Sequence, residues 1–406
     1  MKQHRIIDNT HPRLHTIAPI APNPAPPPSY YTYDANPLIE QHIADDQRRI
    51  AAQITTRIAP VHLRGIFLGG SYGRGEGGYH IRLDRPPRPT NGYEYNILIN
   101  STNAKQRRLI RARLAHLAAV LQRRLGMTVT FQLLRQERLS DPPIRLAAAE
   151  LCWNRRLIAG DTAVLDQLPP LLFHHVDPSE ITRLLLHRGQ LLLLTQQQLR
   201  DRTAYTEHGR ELFFNRLCQV ILSSGEARLA AIGRYHPLAS ERMLRLKDMD
   251  VSRNARFMSL YYLANQYLQY SNVTDLRDAN LLEWQARIMW LWSDTLRQFE
   301  TQRRGHLLQS WETECHPRYD KGQRSVDGHW QHLQLTAQQF GWRELFRHPR
   351  WALRHPRDRL ISALPLLLTS SNSCIDTTVT AALALPPHCD WAMAVDAFMT
   401  HCQQIG

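Results

Sequence analysis

A glycine-rich turn constrains this chain more than any other segment of its 406 residues. Six of the ten residues from Gly69 to Gly78 are glycine, so neither a helix nor a strand is expected to continue through them. Apolar runs lie on both sides, at Arg64–Leu68 and at Tyr93–Ile99, and the proline-containing loop Asp84–Thr90 comes before the second run. The pattern predicts two strands joined by a turn that exposes backbone N–H groups and the hydroxyl of Ser71.

Helical patterns surround these two strands. Apolar residues recur at helical spacing from Asn36 to Ile58 and again from Ala104 to Leu125. Gly126 follows the second helix, at the position where a left-handed residue commonly ends a helix. Met127–Leu133 then has the pattern of a further strand. Residues 35–142 are therefore predicted to form a small α/β domain.

The rest of the chain is predicted to be mostly helical. A helical domain is expected at residues 143–302 and a C-terminal helical region at 303–406, which makes the fold class α+β. Residues 1–34 are rich in proline and poor in apolar surface, so they are expected to form a flexible tail. The predicted helices are Leu146–Leu157, Pro178–Leu199, Leu212–Leu229, Ala255–Gln269, Leu281–Gln302 and Arg357–Leu368.

The chain is strongly basic. Its 50 Lys and Arg residues exceed its 36 Asp and Glu residues, which gives a formal net charge of +14, and only four of the 50 are lysine. Arginine grips phosphate and carboxylate in two places, so the excess favours an acidic protein or a nucleic acid as partner. A coding bias toward arginine would give the same count. The arginines of the Ala104–Leu125 helix are expected to form a solvated face, with an anion-binding face as the alternative.

The cysteine and hydropathy patterns indicate a cytoplasmic protein with no membrane partner. The six cysteines lie far apart and form no C-x-x-C pair, which is typical of reduced, buried thiols. The most apolar stretch, Leu184–Leu194, is interrupted by His187 and Arg188 and is too short to span a bilayer.

Two familiar motifs overlap in the glycine turn. Gly73, Gly75 and Gly78 have the spacing of a dinucleotide-binding loop, but no helix begins within them as that motif requires. Gly69, Ser71 and Gly73 match the nucleophile elbow of serine hydrolases, which makes a hydrolase using Ser71 a minor alternative.

A larger pattern resembles the nucleotidyltransferase superfamily of the polymerase β type. It consists of the run from Gly70 to Gly78 (GSYGRGEGG), the proline-containing loop, and the strand that carries Glu94. More narrowly, this run is similar to that of an uncharacterised bacterial branch of the superfamily. The resemblance implies a nucleotidyltransferase-like domain that uses Mg²⁺ and takes a nucleoside triphosphate as ligand or substrate. It also implies that Gly69, Gly70 and Ser71 hold phosphate, that Arg74 neutralises its charge, and that Glu94 is the catalytic metal ligand.

The chain departs from this family in its acidic residues. The resemblance implies an Asp where Gly92 stands and a further acid near Thr130, so Glu94 is left as the one matching carboxylate. On a later helix, Gln219 replaces an implied lysine of the nucleotide site, while Glu226 keeps the implied acid. Hard Mg²⁺ ions prefer several charged oxygen ligands, so the metal site is expected to be degraded.

Two functions follow from this comparison. The first is a nucleotide-binding or scaffold subunit in which nucleotidyl transfer is weak or lost. The alternative is an active Mg²⁺-dependent enzyme that transfers a nucleoside monophosphate to an acceptor that the sequence does not identify.

Overall fold

The computed structural model of the chain shows a mixed α+β fold, with a small sheet followed by a large helical region. It describes residues 29–82, 85–100, 102–141, 144–170, 173, 176–249, 251–270, 276, 279–305, 307–308, 310–311, 326–347, 349–352, 355–370, 375–386 and 388–405.

The main sheet has four strands in the order β5-β4-β1-β6. Strand β1 runs antiparallel to both β4 and β6, whereas β4 and β5 are parallel and are joined by helix α3. A separate hairpin, β2–β3, follows the glycine turn. The elements of this part of the chain are α1 (Pro37–Thr55), β1 (Leu63–Leu68), α2 (Gly70–Gly73), β2 (Tyr79–Arg82), β3 (Arg85–Pro89), β4 (Tyr93–Ile99), α3 (Ala104–Leu125), β5 (Val129–Arg135), α4 (Leu146–Asn154) and β6 (Leu157–Gly160).

The two long helices of this part begin and end at recognisable caps. The side chain of Asn36 accepts a hydrogen bond at the start of α1, and Asn103 forms a capping box with Gln106 at the start of α3. Gly126 ends α3 with φ +68°, as its left-handed position predicts.

Side chains on the two faces of the sheet build two different cores. One face carries Tyr93 and Tyr95, and α1 and α3 pack on it. The other face carries Phe67 and Leu98, and α4 packs on it. Because strand residues alternate between faces, Glu94 belongs to the α4 side of the sheet, away from α3.

The sheet extends past the expected domain boundary at residue 142. The helix predicted over Leu146–Leu157 ends at Asn154, and Arg155 adopts a left-handed conformation with φ 50°. The chain then turns back as β6, which pairs with β1. Four apolar or small residues do not alternate in polarity, so the sequence offers no strand signal there.

Residues 29–34 pack on the glycine turn, although the sequence assigns them to a flexible tail. Thr32 is fully buried, and its N–H and hydroxyl both donate to the Glu40 carboxylate. The Tyr31 carbonyl accepts a hydrogen bond from Gly77 N, and the Arg156 guanidinium lies 4.7 Å from the centre of the Tyr31 ring. These contacts fix the segment, while residues 1–28 of the predicted tail lie outside the described residues.

The helical region has one large apolar core. Helices α5, α6 and α9 pack against one another, and the Trp292 indole N–H donates to the Leu185 carbonyl between two of them. Of the helices in the described ranges, none has both the length and the apolar character needed to cross a bilayer. The helices of this region are α5 (Pro178–Arg200), α6 (Glu207–Ala231), α7 (Ala239–Lys247), α8 (Val251–Tyr270), α9 (Leu281–Arg304), α10 (Val326–Phe340), α11 (Trp342–Arg347), α12 (Pro349–Ala352), α13 (Pro356–Thr369), α14 (Thr377–Ala382) and α15 (Trp391–Ile405). Of these, α5, α6, α8, α9 and α13 match the predicted helices within about five residues at each end. The sequence did not single out α7, and it predicted the C-terminal region as helical without placing its other helices.

Candidate functional site

The glycine turn begins beside strand β4. The N–H of Gly69 donates to the Glu94 carbonyl at 2.7 Å, so the turn starts directly against that strand. Gly70 has φ +60°, and a β-carbon built on it would lie 3.0 Å from the Glu94 carboxyl carbon. The Glu94 side chain therefore packs directly against the backbone of Gly70, which has no side chain.

Ser71 and Tyr72 have different roles in the turn. The Ser71 hydroxyl is partly exposed and accepts a hydrogen bond from the Asn91 side-chain amide at 2.9 Å. Tyr72 is fully buried, and its hydroxyl donates to the Gly78 carbonyl at 2.6 Å and accepts from Asn91 N at 3.2 Å. Burial raises the pKa of Tyr72, which keeps the phenol neutral. Tyr72 thus braces the turn from within while Ser71 faces outward.

The bond to Ser71 bears on the serine hydrolase alternative. A serine nucleophile must give its proton to a base, and among the described residues no histidine or carboxylate is hydrogen-bonded to the Ser71 hydroxyl; its side-chain partner is the Asn91 amide. This geometry does not favour the hydrolase.

Glu94 is exposed and lies beside a strand, β5, that has no carboxylate. In the parallel register between β4 and β5, Glu94 lies opposite Thr130 and Asn96 lies opposite Gln132. Thr130, where the resemblance implies a further acid, places a neutral hydroxyl next to Glu94. At Gly92, a β-carbon would lie 2.7 Å from the Thr128 carbonyl oxygen, so an aspartate there would need the backbone to shift.

These residues do not fit a pair of Mg²⁺ ions. Within the described ranges, no cluster of three His, Cys, Asp or Glu side chains could hold a metal ion. One exposed carboxylate with hydroxyl and amide neighbours lacks the charge that two such ions need.

Arg74 is paired within the protein, which differs from the phosphate-binding role that the resemblance implies. Its Nε lies 3.3 Å from the Glu76 carboxylate, and the two side chains are only 13% and 11% exposed. Burial lowers the pKa of Arg74, but the negative charges of Glu150 and Glu76 outweigh it and the pKa is raised. The guanidinium is therefore charged and already neutralised by its neighbours.

The sequence did not single out Glu76 as a link between the turn and the helical region. Its carboxylate oxygens accept hydrogen bonds from the N–H of Ala239 at 2.8 and 3.1 Å. Ala239 begins α7, whose N-cap residue Leu238 has no side chain able to cap it. A carboxylate at this end also meets the positive end of the helix dipole.

Glu150 is a second residue that the sequence did not single out. It lies on α4 and accepts a hydrogen bond from the Tyr235 hydroxyl at 2.9 Å. Burial raises the pKa of the Glu150 carboxyl, and the negative charges of Glu94 and Glu226 raise it further. The positive charge of Arg74 lowers the pKa but does not outweigh these effects, so the pKa of Glu150 is raised. Glu150 is the one charged residue of α4. A single carboxylate in an otherwise uncharged helix was the sequence signal that could have identified it.

Glu226 and Gln219 take separate positions on α6. Glu226 pairs with the buried Arg242 at 3.2 Å and so joins the charged network around Arg74. Gln219 accepts a hydrogen bond from Arg188 at 2.8 Å and lies about 10 Å further along the helix, since seven residues rise about 1.5 Å each. The structure thus brings the buried Gly69 and Gly70 together with the more exposed Ser71 and Glu94. Buried charged residues connect this group to Glu226.

Comparison of the chain with protein-family models, with curated proteins and with solved structures gives no match.

Proposed function

We propose that this chain is a nucleotidyltransferase-like protein that binds a nucleotide at the glycine turn. Nucleotidyl transfer in it is weak or lost, and the protein acts as a binding or scaffold subunit. The observation that carries this proposal is the pairing of Glu94 with Thr130 across the two parallel strands, because it leaves Glu94 as the one carboxylate on the strands beside the turn.

The turn itself supports nucleotide binding. Ser71 offers a partly exposed hydroxyl, and the N–H groups of Gly70, Ser71 and Tyr72 are the first of a short helical turn and have no acceptor within it. Gly69, Gly70 and Tyr72 are buried, so a phosphate would approach the turn at Ser71.

The charges around the turn support weak or lost transfer. Two-metal transfer clamps the attacking and leaving oxygens between two cations, and a single carboxylate does not organise such a pair. Arg74 cannot supply the positive charge of the metal to a phosphate, because its guanidinium already forms a mostly buried ion pair with Glu76.

Calorimetric titration of the full chain with ATP tests the binding function. The titration is done once in EDTA and once in Mg²⁺. We expect ATP to bind in EDTA and Glu94→Gln to strengthen that binding, since the variant removes a negative charge from beside the phosphates. Two unit charges about 6 Å apart in a watery site repel by about 1 kcal/mol, which is about fivefold in Kd. Glu137→Gln is the control, because it removes an exposed charge at the opposite end of β5.

The same experiment distinguishes the active Mg²⁺-dependent enzyme. An active transferase requires Mg²⁺ for binding, is weakened by Glu94→Gln, and transfers label from an α-³²P nucleoside triphosphate to an acceptor. Transfer that is abolished in Glu94→Gln would reject the non-catalytic proposal. Absence of ATP binding under both metal conditions would reject both functions.

A further inference from the structure

The outer surface of helix α3 carries an unbalanced positive charge. The helix has seven Lys and Arg residues and no Asp or Glu. Six of them are exposed and Arg107 is half-buried. Within the part of the chain that the structure describes, none of the seven forms an ion pair; Arg107, Arg113 and Arg123 donate to backbone carbonyls instead. The seven residues are Lys105, Arg107, Arg108, Arg111, Arg113, Arg123 and Arg124.

The cations form two groups at the two ends of the helix. Arg108 and Arg123 are 15 residues apart, which is about 22 Å along the axis and about 60° around it, so both point outward on one side. Between them lie Ala112, Ala115 and Ala119, all exposed, with the exposed His116 at their margin. Short side chains in the middle allow an extended anionic chain to lie close to the helix and to meet a cation at each end.

The N-terminal group of cations opposes the stability of the helix itself, whereas Arg123 and Arg124 lie in the last turn, where cations are favoured. The group of cations in the first two turns stands at the positive end of the helix dipole, where anions are favoured. Arg107 and Arg111 are like charges one turn apart, which repel. At the adjacent end of β5, burial lowers the pKa of Arg135, and the guanidiniums of Arg138 and Arg107 lower it further. Positive charge is thus concentrated where folding alone disfavours it.

We propose that the outer face of α3 binds the phosphodiester backbone of a nucleic acid. Arginine predominates on this face, and its planar fork suits phosphate oxygens. A protein partner is disfavoured because a protein interface needs large apolar side chains at its centre. This face has small alanines at its centre, and its large apolar residue, Leu109, lies at the margin. A membrane is disfavoured because the apolar stripe of α3 is already buried against the sheet.

This face is distinct from the proposed nucleotide site. The α3 stripe packs on the Tyr93 side of the sheet, whereas Glu94 belongs to the opposite side. Nucleic-acid binding can therefore succeed or fail independently of nucleotide binding at the turn.

Fluorescence anisotropy with a labelled 24-base-pair DNA duplex, measured over a series of salt concentrations, tests this inference on the full chain. Each phosphate contact contributes about 0.9 to the slope of log affinity against log salt. Arg108→Gln combined with Arg123→Gln is therefore expected to reduce the slope by about 1.8 and the affinity at 0.1 M salt by about 60-fold. Glutamine keeps the helix propensity, and circular dichroism verifies the fold of the variant.

The matched control is Arg287→Gln combined with Arg297→Gln, on the exposed side of α9. It removes the same net charge and is expected to change the affinity less than twofold. Equal losses in the two double variants would overturn the proposal in favour of a general charge effect. Displacement of the duplex by polyglutamate at equal charge concentration would overturn it in favour of an acidic protein, and no binding at 50 mM salt would overturn it outright.

Discussion

The carboxylate of Glu76 connects the glycine turn to the helical region, and we expect Glu76→Ala to destabilise both. In the native structure it pairs with Arg74 at 3.3 Å and accepts hydrogen bonds from Ala239 N at 2.8 and 3.1 Å. The variant leaves a mostly buried guanidinium and the first N–H of α7 without these partners.

The expected loss follows from these two interactions. Removing one partner of a buried ion pair costs about 3 to 5 kcal/mol, and Glu150 beside Arg74 brings this toward the lower limit. A hydrogen bond to a charged acceptor contributes about 1.5 to 3 kcal/mol. Both contributions share one carboxylate and do not add fully, so we expect a loss of about 4 kcal/mol in the free energy of unfolding.

Differential scanning fluorimetry and hydrogen exchange measure the two parts of this loss. For a cooperative chain of 406 residues, an unfolding entropy of about 2.1 cal/mol/K per residue converts 4 kcal/mol into a shift in Tm of about 5 °C. Amides in the first turn of α7 are expected to exchange at least about tenfold faster, because the helix loses its N-terminal acceptor.

Glu241→Ala is the matched control, because Glu241 lies in α7, the helix whose first N–H donates to Glu76. Its carboxylate is 43% exposed and lies 3.7 Å from Arg245, so its removal is expected to cost less than about 0.5 kcal/mol. In the Glu76→Ala background, Arg74→Met is expected to recover part of the loss, because it removes the unpaired charge. Equal Tm values for Glu76→Ala and Glu241→Ala would refute the role assigned to Glu76.

Two further predictions concern backbone strain and pH. Gly70→Ala and Gly126→Ala both place alanine at a left-handed position, so each should lower the free energy of unfolding by about 1 kcal/mol. Gly70→Ala also crowds the Glu94 side chain and should lower the free energy of unfolding, measured by chemical denaturation, by about 1 kcal/mol more. Equal losses would show that Glu94 is not held against the turn. Burial and two neighbouring arginines lower the pKa of His236 from 6.5 to about 4, so below pH 6.5 the unfolded chain binds a proton that the folded chain does not. Stability should therefore fall from pH 6.5 toward pH 4 by up to about 3 kcal/mol, and a His236→Asn variant with the same pH profile as the native chain would contradict this.

The helices could be predicted because their signals are local. The caps Asn36 and Gly126 and the apolar stripes mark α1 and α3 within the segments themselves. The strand β6 has no such signal, because its Leu-Ile-Ala-Gly sequence pairs with β1 only through tertiary contact. The packing of residues 29–34 depends on Glu40 and on the turn, so their proline-rich context gave the wrong expectation for this segment.

The site could be predicted where it depends on strand register. Glu94 and Thr130 become neighbours through the parallel pairing of two adjacent strands, which the order of elements already implies. Apart from Glu76, the charged groups around Arg74 could not be predicted, because Glu150 and Arg242 come from helices that are distant in sequence and lack any motif. Charged residues isolated in apolar segments, such as Glu150, are the sequence signal that such networks leave.

The turn and the strand beside it contain two kinds of residue, and under the proposed function this division explains how a transferase-like turn can remain while metal ligands are missing. Tyr72 and Glu76 face inward, and they hold the turn to its own loop and to the helical region. Ser71 and Glu94 face outward, where a ligand could reach them. Changes to the inward residues are expected to cost folding energy whether or not the protein catalyses a reaction, whereas a change to the exposed Glu94 side chain itself is expected to cost little. Under the proposed function, the inward residues therefore maintain the turn, and the residues beside Glu94 decide whether transfer survives.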